Sequence, residues 1–388
     1  MRSYTELQLA HRTVCIRVDY NVPLRIDRTI VDDARIRASL ETIQYALSQQ
    51  ARVVLCSHMG RPHGIDPRYS LHPVALALST LLQREVKFSM EAVGDVAQAM
   101  KKNLADGEVL LLENLRFYEG EEANDPQFAQ QLAEGIDVYI DDAFGAIHRA
   151  HASIDALPRL VKERAVGALI EREITALDRI THASALMLII GGAKMGDKIE
   201  MLKQLLPKTS GILVGGALAN CFLKARDISV GASRVDDASV SIARELLADQ
   251  NIASKLMVPT DGVVAAATDD VHTRVVHFAS ERVADHEMIL DIGPDTRAIF
   301  AQQCARATMI FWNGPLGLCE QPLFTEGSRS VARAISASPA FSFIGGGDTG
   351  AVVRALVPDA RFSHISTGGG ASLQYLSGAI LPGLIALE

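Results

Sequence analysis

The sequence lacks paired cysteines, which argues against a disulfide or zinc framework. It has five cysteines, an odd number, widely spaced and without a C-x-x-C pair. They are Cys15, Cys56, Cys221, Cys304 and Cys319. Three lie in or beside apolar runs, as buried thiols do in a reducing compartment. The spacing of His148 and His151 could suit a metal ion, but no further ligand type follows at a convincing spacing, which disfavours a zinc site.

Long apolar runs and an excess of basic charge are also missing. The N-terminal stretch MRSYTELQLAHRT has no apolar signal-peptide core. The longest apolar runs have the length of a strand, so no membrane span is expected. The 38 Lys and Arg against 46 Asp and Glu give a net charge of −8, which argues against a general nucleic-acid binder. A cytoplasmic protein is therefore predicted, in which clustered Arg and Lys would have to form any anion site.

What the chain does have is 388 residues, 48% of them hydrophobic, enough for two α/β domains of ordinary size. Short apolar runs alternate with turns and helical stretches, a pattern typical of parallel sheets covered by helices on both faces. In the first half the runs are TVCIRV, RVVLCSH, EVKFSM, EVLLLEN and DVYIDDAF. In the second half they are ALMLIIGG, GILVGG, KLMVPTD, EMILDIG, TMIFWNG, FSFIGGGD and FSHISTGGG.

Between the halves, residues 161–180 read VKERAVGALIEREITALDRI, with apolar residues at helical spacing. This segment is predicted to be an interdomain helix and a stiff connector, because it is neither Pro/Gly/Ser-rich nor of low complexity. The predicted domains are residues 1–160 with a C-terminal tail at 373–388, and residues 181–372.

Arginines follow the predicted strands of the first half. Arg61, Arg116 and Arg149 each come after a strand end, and Arg35 begins a helix after the first turn. In open parallel sheets, ligands bind beyond the carboxyl ends of the strands. A single arginine there could be solvated or ion-paired, but several guanidinium groups together can hold a multiply charged small acid. The first half is therefore predicted to bind a small phosphorylated acid.

Glycine clusters follow four predicted strands of the second half, at residues 191–192, 215–216, 345–347 and 368–370. Glycine lets the backbone approach a ligand, and a turn that opens a helix offers free N–H groups to phosphate. One such cluster could be a simple tight turn. Four of them in one half favour a nucleotide site.

The stretch GGAKMGDK adds Lys194 and Lys198 to this half. It resembles the start of a Walker loop, but Asp197 precedes Lys198 and no Ser or Thr follows, which disfavours a P-loop NTPase. No G-x-G-x-x-G with a following acid occurs, so a dinucleotide enzyme is also disfavoured. Asp348, directly after three glycines, could hold Mg²⁺ at the nucleotide phosphates or cap a helix, and one residue can do both.

Together these segments closely resemble the phosphoglycerate kinase family, from Arg17 to Leu387. The motifs stand in the family's order: RVDYNVP, SHMGRP, LLENLRFYEGEEAND, DDAFGAIHRAHAS, GGAKMGDKIE, DIGPDT, WNGPLGLCE, GGGDTGA and STGGGASL. The resemblance implies two Rossmann-like α/β domains with parallel sheets, joined by a helix and a hinge, and a monomer. It also implies reversible phosphoryl transfer between 1,3-bisphosphoglycerate and ADP, giving 3-phosphoglycerate and ATP with Mg²⁺, directly and after domain closure.

The resemblance further implies a set of site residues. For the acid they are Asp19, Tyr20, Asn21, Arg35, His58, Met59, Gly60, Arg61, Arg116 and Arg149. For the nucleotide they are Gly192, Ala193, Lys198, Gly216, Gly293, Asn313, Glu320, Gly346, Gly347, Asp348 and Thr349. Glu320 would bind the ribose hydroxyls and Asp348 the metal ion. Arg35, Lys194 and Lys198 would be the catalytic residues around the transferred group.

The sequence departs from the family pattern at Gln374 and Ala379, at Asp141, where Asn is usual, and at Glu41, where Pro is usual. None of these is a predicted phosphate contact. Gln374 and Ala379 lie in the tail, which belongs to the part of the fold that bridges the domains, so they bear on domain closure more than on chemistry. Two alternatives remain from the residues alone. One is a non-catalytic nucleotide- or anion-binding protein on the same fold, and the other is an NAD-dependent oxidoreductase.

Overall fold

The structure is a computed structural model that describes residues 1–388, apart from the side chain of Asp197. The chain divides into two compact units. Unit 1 comprises Met1–Thr175 and Ile380–Glu388, and unit 2 comprises Ala176–Ala379. The first predicted domain ends at residue 160 and its tail begins at residue 373, whereas unit 1 ends at Thr175 and resumes at Ile380.

Unit 1 is built on a parallel sheet. Its strands are β1 (Thr13–Val18), β2 (Arg52–Cys56), β3 (Val86–Phe88), β4 (Val109–Leu111), β5 (Val138–Asp142) and β6 (Glu163–Val166). They lie in the order β3-β4-β2-β1-β5-β6, and each pair is parallel. Every residue of β1 and of β5 is buried, as expected where helices cover both faces of a sheet.

Helices flank this sheet. They are α1 (Ala34–Ala38), α2 (Leu40–Ser48), α3 (His72–Leu82), α4 (Asp95–Lys102), α5 (Glu119–Glu122), α6 (Pro126–Ala133), α7 (Ala156–Leu160) and, in the C-terminal segment, α17 (Pro382–Ala386). Short 3-10 turns lie at Tyr4–Glu6, Pro67–Tyr69 and Leu115–Phe117. The start of α6 follows from its sequence, because Asp125 accepts the N–H groups of Gln127 and Phe128 at 2.7 and 2.8 Å and Pro126 takes the first helical position.

The predicted interdomain helix at 161–180 is wrong at its beginning. Residues Glu163–Val166 form the edge strand β6, and the helix α8 spans Ala168–Thr181. Gly167 separates the two, and a Cβ at that position would lie 2.4 Å from Asp142 Oδ1. The same carboxylate oxygen accepts the N–H of Leu169 at 2.8 Å and so caps the new helix. The helical spacing of apolar residues continues through the strand and hides this break.

Unit 2 is built on a second parallel sheet. Its strands are β7 (Leu186–Ile190), β8 (Thr209–Val214), β9 (Leu256–Met257), β13 (Met309–Asn313), β14 (Phe341–Gly345) and β15 (His364–Ile365). They lie in the order β15-β14-β13-β7-β8-β9. The helices of this unit are α9 (Ile199–Leu205), α10 (Gly216–Ala225), α11 (Asp237–Ala248), α12 (Gln250–Ala253), α13 (Pro294–Arg306), α14 (Glu326–Ala337), α15 (Gly347–Leu356) and α16 (Gly369–Leu376), with 3-10 turns at Gly196–Lys198, Leu206–Lys208 and Pro322–Phe324.

The run EMILDIG does not join this parallel sheet, contrary to the prediction. It forms β12 (Met288–Ile292) in a smaller antiparallel sheet with β10 (Asp261–Ala265) and β11 (Arg274–His277), in the order β11-β10-β12. The first three residues of β12 are only partly buried, whereas all of β7 is buried. Partial burial is typical of antiparallel sheets with one face near solvent.

The fold class is confirmed as α/β with two Rossmann-like units built on parallel sheets. Across the described residues, none of the helices has the length and apolar character needed to cross a lipid bilayer.

Candidate active site

In unit 1, polar side chains follow the carboxyl ends of four neighbouring strands. Asp19 follows β1, His58 follows β2, Arg116 follows β4 and Arg149 follows β5. These strands lie side by side in the order β4-β2-β1-β5. Their carboxyl ends therefore meet at one edge of the sheet, where open parallel sheets bind ligands.

Arg35 connects α1 to this edge. Its NH1 group donates to Asp19 Oδ2 at 2.9 Å and to the carbonyl oxygen of Asn21 at 3.3 Å. Asn21 Oδ1 in turn accepts the N–H of Gly60 at 2.9 Å, which ties the segment after β1 to the segment after β2. Gly60 has φ +63°, and a Cβ there would lie 2.2 Å from the ring of Tyr69. Glycine is therefore required at this close approach.

Tyr20 and Met59, both predicted at the acid site, bury their side chains in the hydrophobic core of unit 1. The Tyr20 hydroxyl lies 3.0 Å from Ser39 Oγ. The backbone N–H and carbonyl of Met59 pair with the side-chain amide of Asn114 at 3.1 and 2.8 Å. The structure thus brings the backbone of Tyr20 and Met59 to the sheet edge, while their side chains point into the core.

The three arginines after the strand ends differ in burial. Arg116 is buried, and its NH1 donates to the carbonyl oxygen of Gly60 at 2.5 Å. Its Nε lies 3.0 Å from Glu122 Oε1, in an ion pair without hydrogen-bond alignment. Arg149 is half-buried, with its Nε 3.3 Å from Nε2 of the preceding histidine, and Arg61 is exposed. The set therefore spans the edge from its interior to solvent.

Burial, and then the positive charge of nearby arginines, lowers the pKa of the histidines at this edge. Burial lowers the pKa of His58 well below its usual value, and the surrounding guanidinium groups, Arg17 first, lower it further. Burial is the main cause that lowers the pKa of His148 to about 4, and the charge of Arg149 adds to it. Burial is also the main cause that lowers the pKa of His151 to about 4, with a smaller contribution from nearby guanidinium groups. These imidazoles are neutral at pH 7 beside charged arginines. A bound anion would relieve the repulsion among the guanidinium groups.

Arg17 adjoins this cluster although the sequence did not single it out as a site residue. It lies in β1 with 0% of its surface exposed, and its Nε donates to Ser153 Oγ at 3.0 Å. Its NH2 lies 3.1 Å from His58 Nδ1. The sequence does place an arginine inside the otherwise apolar run TVCIRV. A buried charge needs polar or charged partners, so this position could have indicated a buried polar network.

In unit 2, the glycine turns after β7 and β8 pack against each other. Gly192 donates its N–H to the carbonyl of Pro315 at 2.9 Å and accepts the N–H of Leu218 at 2.9 Å. Gly216, with φ +60°, begins α10, and a Cβ there would lie 2.7 Å from the Pro315 carbonyl oxygen. Glycine is therefore needed for the backbone segments to approach this closely.

Lys194 and Lys198 follow the Gly192 turn. Lys198 is buried, and its Nζ donates to the carbonyl oxygen of Lys194 at 3.3 Å. A Cβ on Gly192 would lie 3.8 Å from that Nζ, so the ammonium group lies over the turn. The side chain of Lys194 is exposed. The end of β7 thus carries one buried and one exposed ammonium group.

The turn between β14 and α15 presents the start of a helix. Gly346 has φ +102° and precedes the first helical residue, Gly347, while Asp348 is exposed in the first turn. Asn313 Nδ2 donates to the carbonyl of the residue before Gly346 at 2.9 Å, and Thr349 Oγ1 accepts the N–H of the residue after Asn313 at 2.8 Å. The first N–H groups of a helix have no intrahelical partner, so this turn offers donors to an anion.

A cavity of about 320 Å³ opens beside these turns in unit 2. Four of the predicted nucleotide residues line it, namely Gly192, Ala193, Gly216 and Glu320. Much of the remaining lining is apolar and includes Leu223, Phe278, Met288, Ile289 and Leu290. Such a slot fits a planar ring system with a polar group at its rim. The sequence did not predict the apolar lining, because much of it comes from the antiparallel sheet and the loops beside it.

Other predicted nucleotide residues lie apart from this cavity. Its lining, within the described part of the chain, does not include Gly293, Lys198, Asn313 or residues 346–349. Gly293 donates its N–H to the carbonyl of Asp261 at 3.0 Å, and a Cβ there would lie 2.2 Å from that residue's carboxylate. Gly293 therefore supports a lining residue from behind.

Comparisons with known proteins agree along the whole chain. The family model described as "Phosphoglycerate kinase" matches residues 4–379. A protein of that name from Anaeromyxobacter dehalogenans strain 2CP-1 is 45% identical over 395 residues, covering 100% of this chain and 99% of its own length. Another from Thermomicrobium roseum is 43% identical over 392 residues, with the same coverage.

Solved structures give the same result. The phosphoglycerate kinase from Coxiella burnetii matches with a TM-score of 0.84 at 36% identity, covering 100% of this chain and 98% of its own. The phosphoglycerate kinase from Pyrococcus horikoshii OT3 matches with a TM-score of 0.90 at 32% identity and the same coverage.

Proposed function

Since this chain belongs to the phosphoglycerate kinase family, we propose that it transfers a phosphoryl group reversibly between 1,3-bisphosphoglycerate and ADP, giving 3-phosphoglycerate and ATP. It is a phosphotransferase with a carboxyl group as acceptor, and its reaction belongs to glycolysis and gluconeogenesis. We expect it to act as a monomer in the cytoplasm.

The acid binds at the arginine-rich edge of unit 1. Arg61, Arg116 and Arg149 contact the phosphate, because planar guanidinium groups pair with phosphate oxygens in two hydrogen bonds. His58 donates a further hydrogen bond, and Asp19 and Asn21 contact the hydroxyl group. Tyr20, Met59 and Gly60 contribute backbone groups. The observation that carries the proposal is this cluster of guanidinium groups around a histidine whose pKa lies well below its usual value.

The nucleotide binds in unit 2. The base enters the apolar cavity beside Gly192, Ala193 and Gly216, and Glu320 at its rim accepts hydrogen bonds from the ribose hydroxyls. Gly293 and Asn313 support the base slot and the phosphate turn, respectively. The phosphates lie at the N-terminus of α15, where the backbone N–H groups at Gly346, Gly347 and Thr349 are the donors and the helix dipole favours negative charge.

The residues at this turn also fit a magnesium ion. Asp348 is an exposed carboxylate in the first turn of α15, beside the donors that would hold the phosphates. Mg²⁺ binds proteins through one or two carboxylates together with substrate phosphates, and Asp348 would hold it there. When bound, the ion neutralises charge on the phosphate oxygens.

The chemistry is a direct in-line displacement. In the direction of ATP use, a carboxylate oxygen of 3-phosphoglycerate forms a bond to the γ-phosphorus while the bond from that phosphorus to the β–γ bridging oxygen breaks. The carboxylate is already ionised, so the step needs no general base. Arg35, Lys194 and Lys198 stabilise the charge on the transferred group. Both ligands must meet for this step, so we expect hinge motion during turnover.

A coupled assay tests the proposed activity. The enzyme should convert 1,3-bisphosphoglycerate and ADP to ATP in the presence of Mg²⁺, and a chelator should abolish the turnover. Thermal unfolding separates the alternatives, because a bound ligand raises the melting temperature. A shift with ADP or ATP but no turnover would support a non-catalytic nucleotide-binding protein. A shift with NAD instead would contradict the assignment of unit 2.

A further inference from the structure

The side chain of His58 has one ring nitrogen in contact with an arginine. Arg17 NH2 lies 3.1 Å from His58 Nδ1, and both side chains are buried, with 0% and 5% of their surfaces exposed. An arginine carries only donors and keeps its proton at any physiological pH. Nδ1 must therefore be the acceptor, with its lone pair bare, because a proton on Nδ1 would face the N–H of Arg17.

We infer that Arg17 is a positioning residue, which fixes His58 as the neutral tautomer with its proton on Nε2 and so makes that nitrogen a donor to the acid's phosphate. Within the residues described, Nε2 makes no hydrogen bond, yet it is not among the polar atoms shut off from solvent. It remains available to a ligand. The inference rests on the proposed function for the identity of the acid, but the tautomer itself does not depend on it.

A network of buried side chains holds Arg17 in this orientation. Its Nε donates to Ser153 Oγ at 3.0 Å and its NH1 to the carbonyl oxygen of Val18 at 2.6 Å. The Ser153 hydroxyl donates to Glu121 Oε1 at 2.6 Å, and its backbone N–H donates to Glu121 Oε2 at 2.9 Å. Glu121 Oε1 also lies 3.9 Å from Arg17 NH2, so the buried guanidinium charge has its counter-ion.

The same network explains why Arg17 acts through His58 rather than on the ligand. Its three nitrogens are directed to Ser153, Val18 and His58, and its surface is 0% exposed. A group without exposed surface cannot touch an anion at the sheet edge. Its effect on binding has to pass through the imidazole, whose other nitrogen faces the site.

Long-range ¹H–¹⁵N spectra of the histidine side chains test the tautomer directly, without any substrate. At pH 7, His58 should show a protonated Nε2 and a bare Nδ1 in the wild-type enzyme. A proton on Nδ1, or on both nitrogens, would overturn the inference even if the enzyme turns over as proposed. The reverse result, the expected tautomer with no activity on 1,3-bisphosphoglycerate, would contradict the proposed function and leave the inference standing.

The substitution Arg17→Met tests the consequence, because it keeps the buried stem and removes the donors. The KM for 3-phosphoglycerate should rise about 10-fold, which corresponds to the loss of one hydrogen bond, while kcat and the KM for ATP change by less than about 2-fold. Arg17→Lys retains a donor and should keep most of the affinity. Arg52→Met is the matched control, because Arg52 begins β2 whereas His58 follows its other end. It should leave the KM for the acid unchanged.

A double-mutant cycle separates positioning from general structural damage. In a His58→Ala background, Arg17→Met should have no further effect on the KM for 3-phosphoglycerate. Additive losses would mean that Arg17 supports the site independently of the imidazole, which would overturn the inference. If Arg17→Met fails to fold, Arg17→Lys and the wild-type spectrum still decide the question.

Discussion

The anion sites that we propose for the two units are built from different materials. Unit 1 uses charged side chains, delivered by four neighbouring strands and held by a buried network beneath them. Unit 2 uses the backbone, with Gly346 at positive φ directly before α15, whose first N–H groups have no intrahelical partner. A site made of side chains therefore requires charged groups to be buried, which costs stability. A site made of backbone groups requires the chain to approach the ligand closely, so its turns tolerate few side chains.

The sharpest test of this comparison is Arg35→Ala. The substitution removes a guanidinium group that pairs with Asp19 at 2.9 Å and that we assign to the transferred phosphoryl group. Turnover should fall about 100- to 1,000-fold, the usual loss for one group that stabilises transition-state charge. The fluorescence of Trp312, the only tryptophan in the chain, should still report ADP binding in unit 2.

Arg37→Ala is the matched control for that experiment. Arg37 lies in the same helix, and its exposed side chain pairs with Asp33. It should leave turnover within about 2-fold of wild type. Weakened ADP binding in Arg35→Ala, with turnover otherwise retained, would mean that the acid and nucleotide sites are assigned to the wrong units.

The second prediction concerns the charge buried beneath the site of unit 1. Asp141 lies opposite Arg17 in the β1–β5 register, and its Oδ2 is buried without a hydrogen-bond partner. Burial raises the pKa of Asp141 to about 7. The folded state therefore holds the proton more tightly than the unfolded chain, and this residue costs stability as the pH rises from about 4 to about 7.

Asp141→Asn should remove that cost. The variant should gain about 4 kcal/mol over wild type in the free energy of unfolding at pH 8. Most of that gain should be lost near pH 4, where the folded aspartate is neutral and the unfolded one is only partly ionised. Urea unfolding at both pH values measures it. Asp285→Asn, which changes an exposed carboxylate, should show no such dependence. An equal gain at pH 4 and pH 8 would mean that buried charge is not the cause.

The third prediction tests the backbone site. Gly346→Ala places a side chain at φ +102°, with its Cβ 3.3 Å from Asn313 Nδ2. Gly378→Ala also acts at positive φ, +77°, but a Cβ there meets nothing within 4 Å. Both should lower the stability of unit 2, Gly378→Ala by about 1–2 kcal/mol and Gly346→Ala by up to about 3 kcal/mol, because its ψ of 139° lies outside the left-handed helical region. Only Gly346→Ala should also raise the KM for ADP, by about 10-fold or about 1.4 kcal/mol. Equal effects of both on ADP would contradict the phosphate turn.

The sequence predicted the two kinds of site unequally, and the reason is physical. Motif residues at strand ends, such as Arg116 and Gly346, could be placed because parallel strands send their carboxyl ends to one edge. The burial of the Tyr20 side chain could not be predicted, because it depends on which face of the segment packs against Ser39. The apolar slot near Phe278 depends on an antiparallel sheet whose strand β11 shows no long apolar run. Pairing over long sequence distances leaves little trace in local pattern.

The smallest expected effect lies at the rim of the cavity in unit 2, where a side chain supplements the backbone site. Glu320 is exposed and lines the cavity, and we assign it to the ribose hydroxyls. Glu320→Gln keeps the shape but weakens the charge-assisted hydrogen bonds, so the KM for ADP should rise about 5-fold, or about 1 kcal/mol. Glu245→Gln, on the exposed face of α11, is the control and should change nothing.

The nucleotide itself supplies the second arm of this test. ADP and 2′-deoxy-ADP differ by one ribose hydroxyl, so the wild-type enzyme should prefer ADP, and Glu320→Gln should reduce that preference. If the preference is unchanged while the KM for both nucleotides rises equally, Glu320 acts on the phosphates or on the fold instead. Unit 2 would then recognise the nucleotide through its backbone and its apolar slot alone, and the contrast with unit 1 would be stronger than proposed.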